Sequence, residues 1–241
     1  MKAKFRHSAL ITLAVTLVAA SLSVPASKKS ELPEFTEDGL QLRPDSRLAI
    51  VYAEPGADLS GYKRVKLLDA YVAFKKNWER DQRSSSAQPL KLTAKDVERI
   101  RTDLAEGFHE VFSESLEQGG FPVVEDADAD VLLVRPAIID LDVNAPDTMT
   151  SGRNRSYVQS AGEMTLYLEL YDSVTGDLIA KALDRKVDRQ NTGFYTWASR
   201  ATNRAAANRI LKGWADILVN ALTEAHASGA NAEAAVEAEA Q

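Results

Sequence analysis

Cysteine is absent from all 241 residues. That excludes disulfides, thiolate metal sites and a cysteine nucleophile. It also excludes a lipid attached to a cysteine behind a leader. Histidine is scarce: only His7, His109 and His226 occur. No His–Asp pair has a recognisable spacing, and no serine sits in a Gly-x-Ser-x-Gly elbow, so a serine hydrolase is not expected. His109 adjoins core-facing Phe108 and reads as a partly exposed helix residue. His226 falls near the fraying end of the last helix, where a cation suits the dipole. A basic excess is missing too, with 29 Lys and Arg against 35 Asp and Glu. An acidic chain has no long-range pull toward nucleic acid or anionic lipid, so no nucleic-acid partner is expected.

Long apolar runs are confined to the N-terminus. Lys2, Lys4 and Arg6 precede an apolar stretch from Ala9 to Ala20, interrupted only by Thr12 and Thr16, and small residues follow up to Ala26. This order predicts a secretory signal over residues 1–26, cut after Ala26. The stretch is shorter than the roughly 20 residues of a membrane span, and the mature chain has no other candidate. A retained N-terminal anchor is the alternative. Processing takes the 29 basic residues to 26 against 35 acidic ones, a net charge of −9. The expected product is soluble in the periplasm of a bacterial envelope.

Residues 27–47 are polar, with Pro33, Gly39 and Pro44, and read as a linker. Residues 228–241 are mostly Ala and Glu and read as a disordered tail or frayed helix end. One domain is expected over residues 48–227, large enough to bury roughly 70% of its unfolded surface without disulfides. Partial alternation predicts a strand over Arg64–Phe74, with an edge strand at Leu48–Tyr52. Asp81–Gln88 reads as a loop. Thr93 and Asp96 form a capping-box pattern before a stripe running from Val97 to Leu116, closed by Gly119-Gly120. Phe121–Val124 reads as a short strand. Val131–Leu141 is apolar enough to be central, with Pro136 expected at a bulge. Met164 to Tyr171 alternates and predicts a hairpin that turns at Asp172–Asp177 and returns over Leu178–Val187. The last helix is expected over Trp197–Ala225. The sum is an α+β fold: two layers, a mostly antiparallel sheet and two main helices packed on one face.

Few residues invite chemistry. Asp126, Asp128 and Asp130 suggest a calcium loop, but Val131 and Ala137 stand where an EF-hand needs glycine and glutamate, so an acidic turn is expected. Asp140 and Asp142 are spaced to share a strand face and are candidate acid and base groups; solvated strand-end carboxylates fit the spacing equally. Asn154-Arg155-Ser156 fits a glycosylation pattern but sits in a bacterial context. Arg153, Arg155 and Tyr157, in a loop with Gly152, are candidates for holding an anionic ligand or a partner. Trp78 and Trp197 lie outside the apolar stripes; they are candidate partner anchors, or else pack a loop onto the domain. No metal site and no cofactor are expected.

The run Tyr52-Ala-Glu-Pro-Gly-Ala-Asp-Leu-Ser-Gly-Tyr62, the following Lys-Arg-Val-Lys-Leu strand and Trp78 resemble the opening of the DUF3313 family. Gly119–Val124, the Asp172–Gly176 turn and Asp184-Arg185 extend the resemblance over residues 42–222. It implies an exported bacterial domain, often a lipoprotein, with no assigned reaction and no catalytic residues to carry over. This chain departs from the lipoprotein pattern because no cysteine follows its leader. The expected function is a non-enzymatic binding or envelope-assembly accessory module with an envelope protein as partner. The alternatives are an enzyme using Asp140 and Asp142, or a small-ligand carrier with an apolar pocket between helices and sheet.

Overall fold

Two periodicities, two and 3.6, build the two layers of this domain. A computed structural model describes residues 32–84, 92–143, 157–158, 162–188, 196–197 and 200–239. In chain order the strands and helices are β1 (Gln41–Leu42), β2 (Ile50–Ala53), β3 (Arg64–Leu67), β4 (Tyr71–Phe74), α1 (Trp78–Ser84), α2 (Ala94–Gln118), β5 (Val131–Val143), β6 (Tyr157–Val158), β7 (Gly162–Asp172), β8 (Leu178–Val187), β9 (Thr196–Trp197) and α3 (Arg200–Glu239). Seven strands form one sheet in the order β1-β2-β8-β7-β5-β3, with β4 also paired to β5. All pairs are antiparallel except β3 and β4, which run parallel to β5. The fold is α+β, with a mostly antiparallel sheet.

Alternation decides which face is covered. Met164, Leu166, Leu168 and Leu170 of β7 point into the core with Leu132, Val134 and Ile138 of β5. Against them pack Leu104, Phe108, Phe112 and Leu116 of α2, and Leu211, Trp214, Leu218 and Leu222 of α3. Phe108 and Phe112, one helical turn apart, stack with centroids 3.9 Å apart. A large aromatic pair buried this way supplies more than its area alone. The capping box forms as expected: the Thr93 hydroxyl accepts from the Asp96 N–H, and the Asp96 carboxylate accepts from the Thr93 N–H. Gly120 ends α2 at φ 87.

Several expectations are corrected. The strand expected over Arg64–Phe74 is two strands, because the offset to β5 shortens by one residue between Leu67↔Val134 and Tyr71↔Ala137. Pro136 does not bulge; it keeps register with Leu168, and it falls where neither β3 nor β4 supplies a partner, so its missing N–H interrupts no parallel ladder. The irregularity lies later, between Ile139 and Asp142, where Asp140 has φ 51. The segment from Asp81 to Ser84 belongs to α1. Phe121–Val124 makes only an isolated bridge, Val65↔Val123. β2 is flanked by β1 and β8. α3 begins at Arg200, Trp197 lies in β9, and the helix continues through most of 228–241 to Glu239. His226 is docked, with Nε2 2.9 Å from the Tyr62 carbonyl and its ring edge-on to Phe121 at 5.3 Å.

The acidic turn has a structural occupant. Arg64 donates to Asp130 and, at 2.9 Å, to Asp128; it holds Asp130 below the usual range, and the Ala129 N–H, then Arg64, do the same for Asp128. Tyr62 ties the β2–β3 connection to the β7–β8 turn by donating to Asp172 at 2.9 Å. Burial, and then that bond, push its phenol up to about 12.

Candidate functional site

Two helices, two strand ends and the residue after β8 converge at one end of the helix layer. α2 contributes Arg99, Ile100, Asp103, Leu104 and Gly107, which share one face at helical spacing. The first half of α3 faces them with Asn203, Arg204, Ala206, Ala207, Asn208 and Ile210. The end of β5 (Leu141–Val143), the start of β7 (Gly162–Met164) and Asp188 complete the lining. The half-open cleft has a volume of about 120 Å³. Its floor is apolar, formed by Ile100, Leu104, Leu141, Val143, Met164 and Ile210, and its charges lie at the rim.

Local backbone geometry shapes this base. The positive φ at Asp140 turns Leu141 inward, where it is 6% exposed, and presents Asp142 toward β7. Gly162 meets it so closely that a Cβ would lie 2.0 Å from the Asp142 carbonyl oxygen, at φ 151. Only glycine fits there. Gly107 is a different case. It is buried in the middle of α2, yet a Cβ would meet nothing nearer than the Asn208 Oδ1 at 3.6 Å. Helix packing does not require a glycine at this position, and glycine weakens a helix interior by roughly 0.5–1 kcal/mol relative to alanine. Its effect is to leave room in the cleft.

The rim charges are locked into ion pairs. Lys75 donates to Asp142 at 3.0 Å and to Glu163 at 3.4 Å, and Arg185 also binds Glu163. Arg209 meets Asp188 at 2.8 Å, and Arg204 meets Glu110 at 2.9 Å. Burial would raise the Glu163 carboxyl, but the hydrogen bonds from Arg185 and Lys75 outweigh it and hold the group below its ordinary value. The bond to Asp142 in turn raises Lys75. A carboxylate held ionised by two cations suits a fixed rim and not a proton donor at neutral pH. Asp142, one of the two candidate acid and base groups, is thus tied to Lys75, while Asp140 is exposed on the bulge.

The anticipated site residues fall in different places. Trp78 is 3% exposed, stacks on Phe74 with centroids 4.2 Å apart, and donates its indole N–H to the Val143 carbonyl at 3.2 Å. It is packed inside the domain, behind the Val143 that floors the cleft. Tyr157 and Trp197 are directly opposed in the antiparallel β6–β9 pair. Their side chains, like all of Arg153 and Arg155, lie outside the described residues. A pocket between helices and sheet is what the small-ligand-carrier alternative expects, but none of its lining residues is among the expected site residues; the local signal for its position is Gly107, a glycine inside an apolar helical stripe. Among the described residues no helix is long and apolar enough to cross a membrane.

A family model described as "Protein of unknown function (DUF3313)" matches residues 33–218. No match is found among curated proteins. Among solved structures, the PelC dodecamer from Paraburkholderia phytofirmans is 12% identical, with 70% of this chain and 95% of that one covered at a TM-score of 0.36. A Xanthomonas campestris protein of the DUF330 family model is 12% identical over 70% and 89% of the two chains, at 0.35. A DUF4136 family protein from Bacteroides thetaiotaomicron is 13% identical over 76% and 96%, at 0.33. Likeness this distant says nothing about a ligand or an assembly.

Proposed function

We propose that this protein, which belongs to the DUF3313 family, is a non-enzymatic binding or envelope-assembly accessory module that holds an apolar group in the α2–α3 cleft. On this reading residues 1–26 direct export and the domain works in the periplasm; the expected 27–47 linker is shorter, because Leu40 is buried and Gln41–Leu42 join the sheet as β1. The observation that carries it is the apolar floor kept open beside Gly107. A cleft of about 120 Å³ compares with the ~150 Å³ apolar cavity that accepts one benzene ring. Its guest is therefore one aromatic ring or a short alkyl segment. Burying such a group contributes about 2–3 kcal/mol, whereas micromolar binding needs about 8. The guest is thus the anchoring part of something larger: a side chain of an envelope protein, or the end of an amphiphile whose remainder meets the ion-paired rim.

The test is binding of N-phenyl-1-naphthylamine to the processed chain, followed by its fluorescence. Saturable binding is expected, weakened at least about tenfold in Gly107→Leu, whose side chain extends into the cleft, because a tenfold loss needs only about 1.4 kcal/mol. Equal binding by a well-folded Gly107→Leu would remove the cleft from consideration.

A further inference from the structure

The sheet has a second face, and neither α2 nor α3 packs on it. Directly opposed residues of paired strands share a face, so the register defines its surface. One row crosses five strands: Tyr71 of β4 opposes Ala137 of β5, which opposes Tyr167 of β7, which opposes Leu183 of β8, which opposes Ile50 of β2. Tyr71 is 67% exposed and the other four are half-buried. The neighbouring row carries Arg135, Glu169, Lys181 and Tyr52, and its β2–β8 end is covered by the chain before β1, where Asp38 pairs with Lys181 and the Pro33 carbonyl accepts from the buried Tyr52 hydroxyl; the row on the other side carries Ile139, Thr165 and Arg185.

The charges on this face are layered. The Glu169 side chain is 9% exposed beneath an Arg135 that is 62% exposed, with a 3.4 Å contact between them. Tyr167 and Tyr171 donate their hydroxyls to the same carboxylate at 2.7 and 2.8 Å. Glu163 is 19% exposed beneath an Arg185 that is 60% exposed. The carboxylates are sunk and the guanidiniums ride above them. A guanidinium oriented from below still has free donors on its outer edge, in a geometry suited to a carboxylate.

We propose that this helix-free face is the docking surface for a protein partner that brings carboxylates around an apolar centre. Tyrosine and arginine around an aliphatic row match the make-up of interface centres. Five strands and three to four rows span roughly 20 by 25 Å, so a fully occupied face buries about 1,000 Å² over both partners, the lower limit for a specific interface. A second copy stacked on the same face would set guanidinium against guanidinium, which argues against self-pairing. The face meets the α2–α3 cleft at the Glu163–Arg185 pair, while the Tyr71-to-Ile50 row and the Arg135–Glu169 pair line no part of the cleft.

The experiment is photo-crosslinking of the full chain in the cells that make it. p-Benzoyl-phenylalanine is placed at Tyr71 or at Leu183, with Lys212 on α3 as the control position. The expected result is one protein adduct shared by Tyr71 and Leu183, absent from Lys212, with carboxylates at the crosslinked site. Combining Arg135→Glu with Arg185→Glu lowers its yield at least about tenfold, and replacing the partner's carboxylates by lysine restores it. Should that variant fail to fold, Arg135→Gln with Arg185→Gln serves, with a loss of at least about threefold. Absence of an adduct overturns the proposal. So does an adduct of the chain with itself, one formed equally from Lys212, one unmoved by the arginine substitutions, or one carrying lipid or glycan without protein.

Discussion

Asp184 offers the sharpest test of how this fold is held. It is 4% exposed on β8 and faces the helix layer. Its carboxylate accepts the Trp214 indole N–H at 2.7 Å and the Ala49 N–H at 3.0 Å, with Lys186 Nζ also 3.0 Å away. One side chain therefore ties α3, the approach to β2 and β8 together. Asp184→Ala strands the Trp214 donor inside the core, where that residue is 2% exposed. A buried donor left unpaired costs about 1–3 kcal/mol. The Ala49 N–H is nearer solvent and adds less, and the half-exposed Lys186 adds little. Against this, a buried carboxylate no longer has to be desolvated. The balance is a loss of about 2–3 kcal/mol, or a fall in Tm of roughly 5–10 °C for a domain this size. Urea unfolding followed by circular dichroism at 222 nm measures it without relying on tryptophan fluorescence. A cycle with Trp214→Phe should show a coupling of about 1–2 kcal/mol. A loss below about 0.5 kcal/mol, or additivity within that margin, would refute the assignment of Asp184 as the group that holds Trp214.

The two glycines of the cleft should respond in opposite directions. Gly107→Ala is expected to raise stability by about 0.5–1 kcal/mol, since its Cβ meets only an ordinary contact. Gly162→Ala is expected to lower it by more than about 2 kcal/mol, because a Cβ would collide with the Asp142 backbone at a φ that L-residues rarely adopt. Thermal melts decide both, and matching signs would mean the cleft geometry is wrong. Alkaline pH probes the tyrosines. Tyr62 rises from 10.0 to about 12, and Tyr167 and Tyr171 shift the same way, from burial first and then from their bonds to Asp172 and Glu169. A raised folded value favours the protonated form, so this stabilisation is complete below pH 10 and is lost as pH climbs through about 12. Absorbance at 295 nm should show late tyrosinate formation, with the Tyr62→Phe variant losing part of the latest phase; an unchanged curve in that variant would contradict the bond to Asp172.

The Asp184-Arg185 pair shows why a motif can be visible while its meaning is not. Successive strand residues point to opposite faces. Asp184 reaches into the core toward Trp214, and Arg185 projects over Glu163 on the other face. Neither partner is near in sequence, so the dipeptide marked the family without disclosing either role. Trp78 is similar. Its size made it a candidate anchor, but its indole is consumed by Phe74 and the Val143 carbonyl.

What the chain alone determined is whatever depends on neighbours a few residues apart: the Thr93–Asp96 cap and apolar stripe of α2, the glycines that end it, the alternating β7–β8 hairpin and its Asp172–Asp177 turn, and so the α+β class. These follow from hydrogen bonds and side-chain periods that close within one or two turns of chain. Tertiary structure alone decided the rest. The split between β3 and β4 is set by register against β5, a relation between segments more than 60 residues apart, and the bulge at Asp140 instead of Pro136 by the register of β5 against its neighbour β7. The cleft needs α2, α3 and the ends of β5 and β7 brought together, and the layered charges of the open face need pairs such as Arg135–Glu169 to meet across strands. Such contacts form only when distant segments are packed side by side, and no local pattern encodes which residue will stand opposite which.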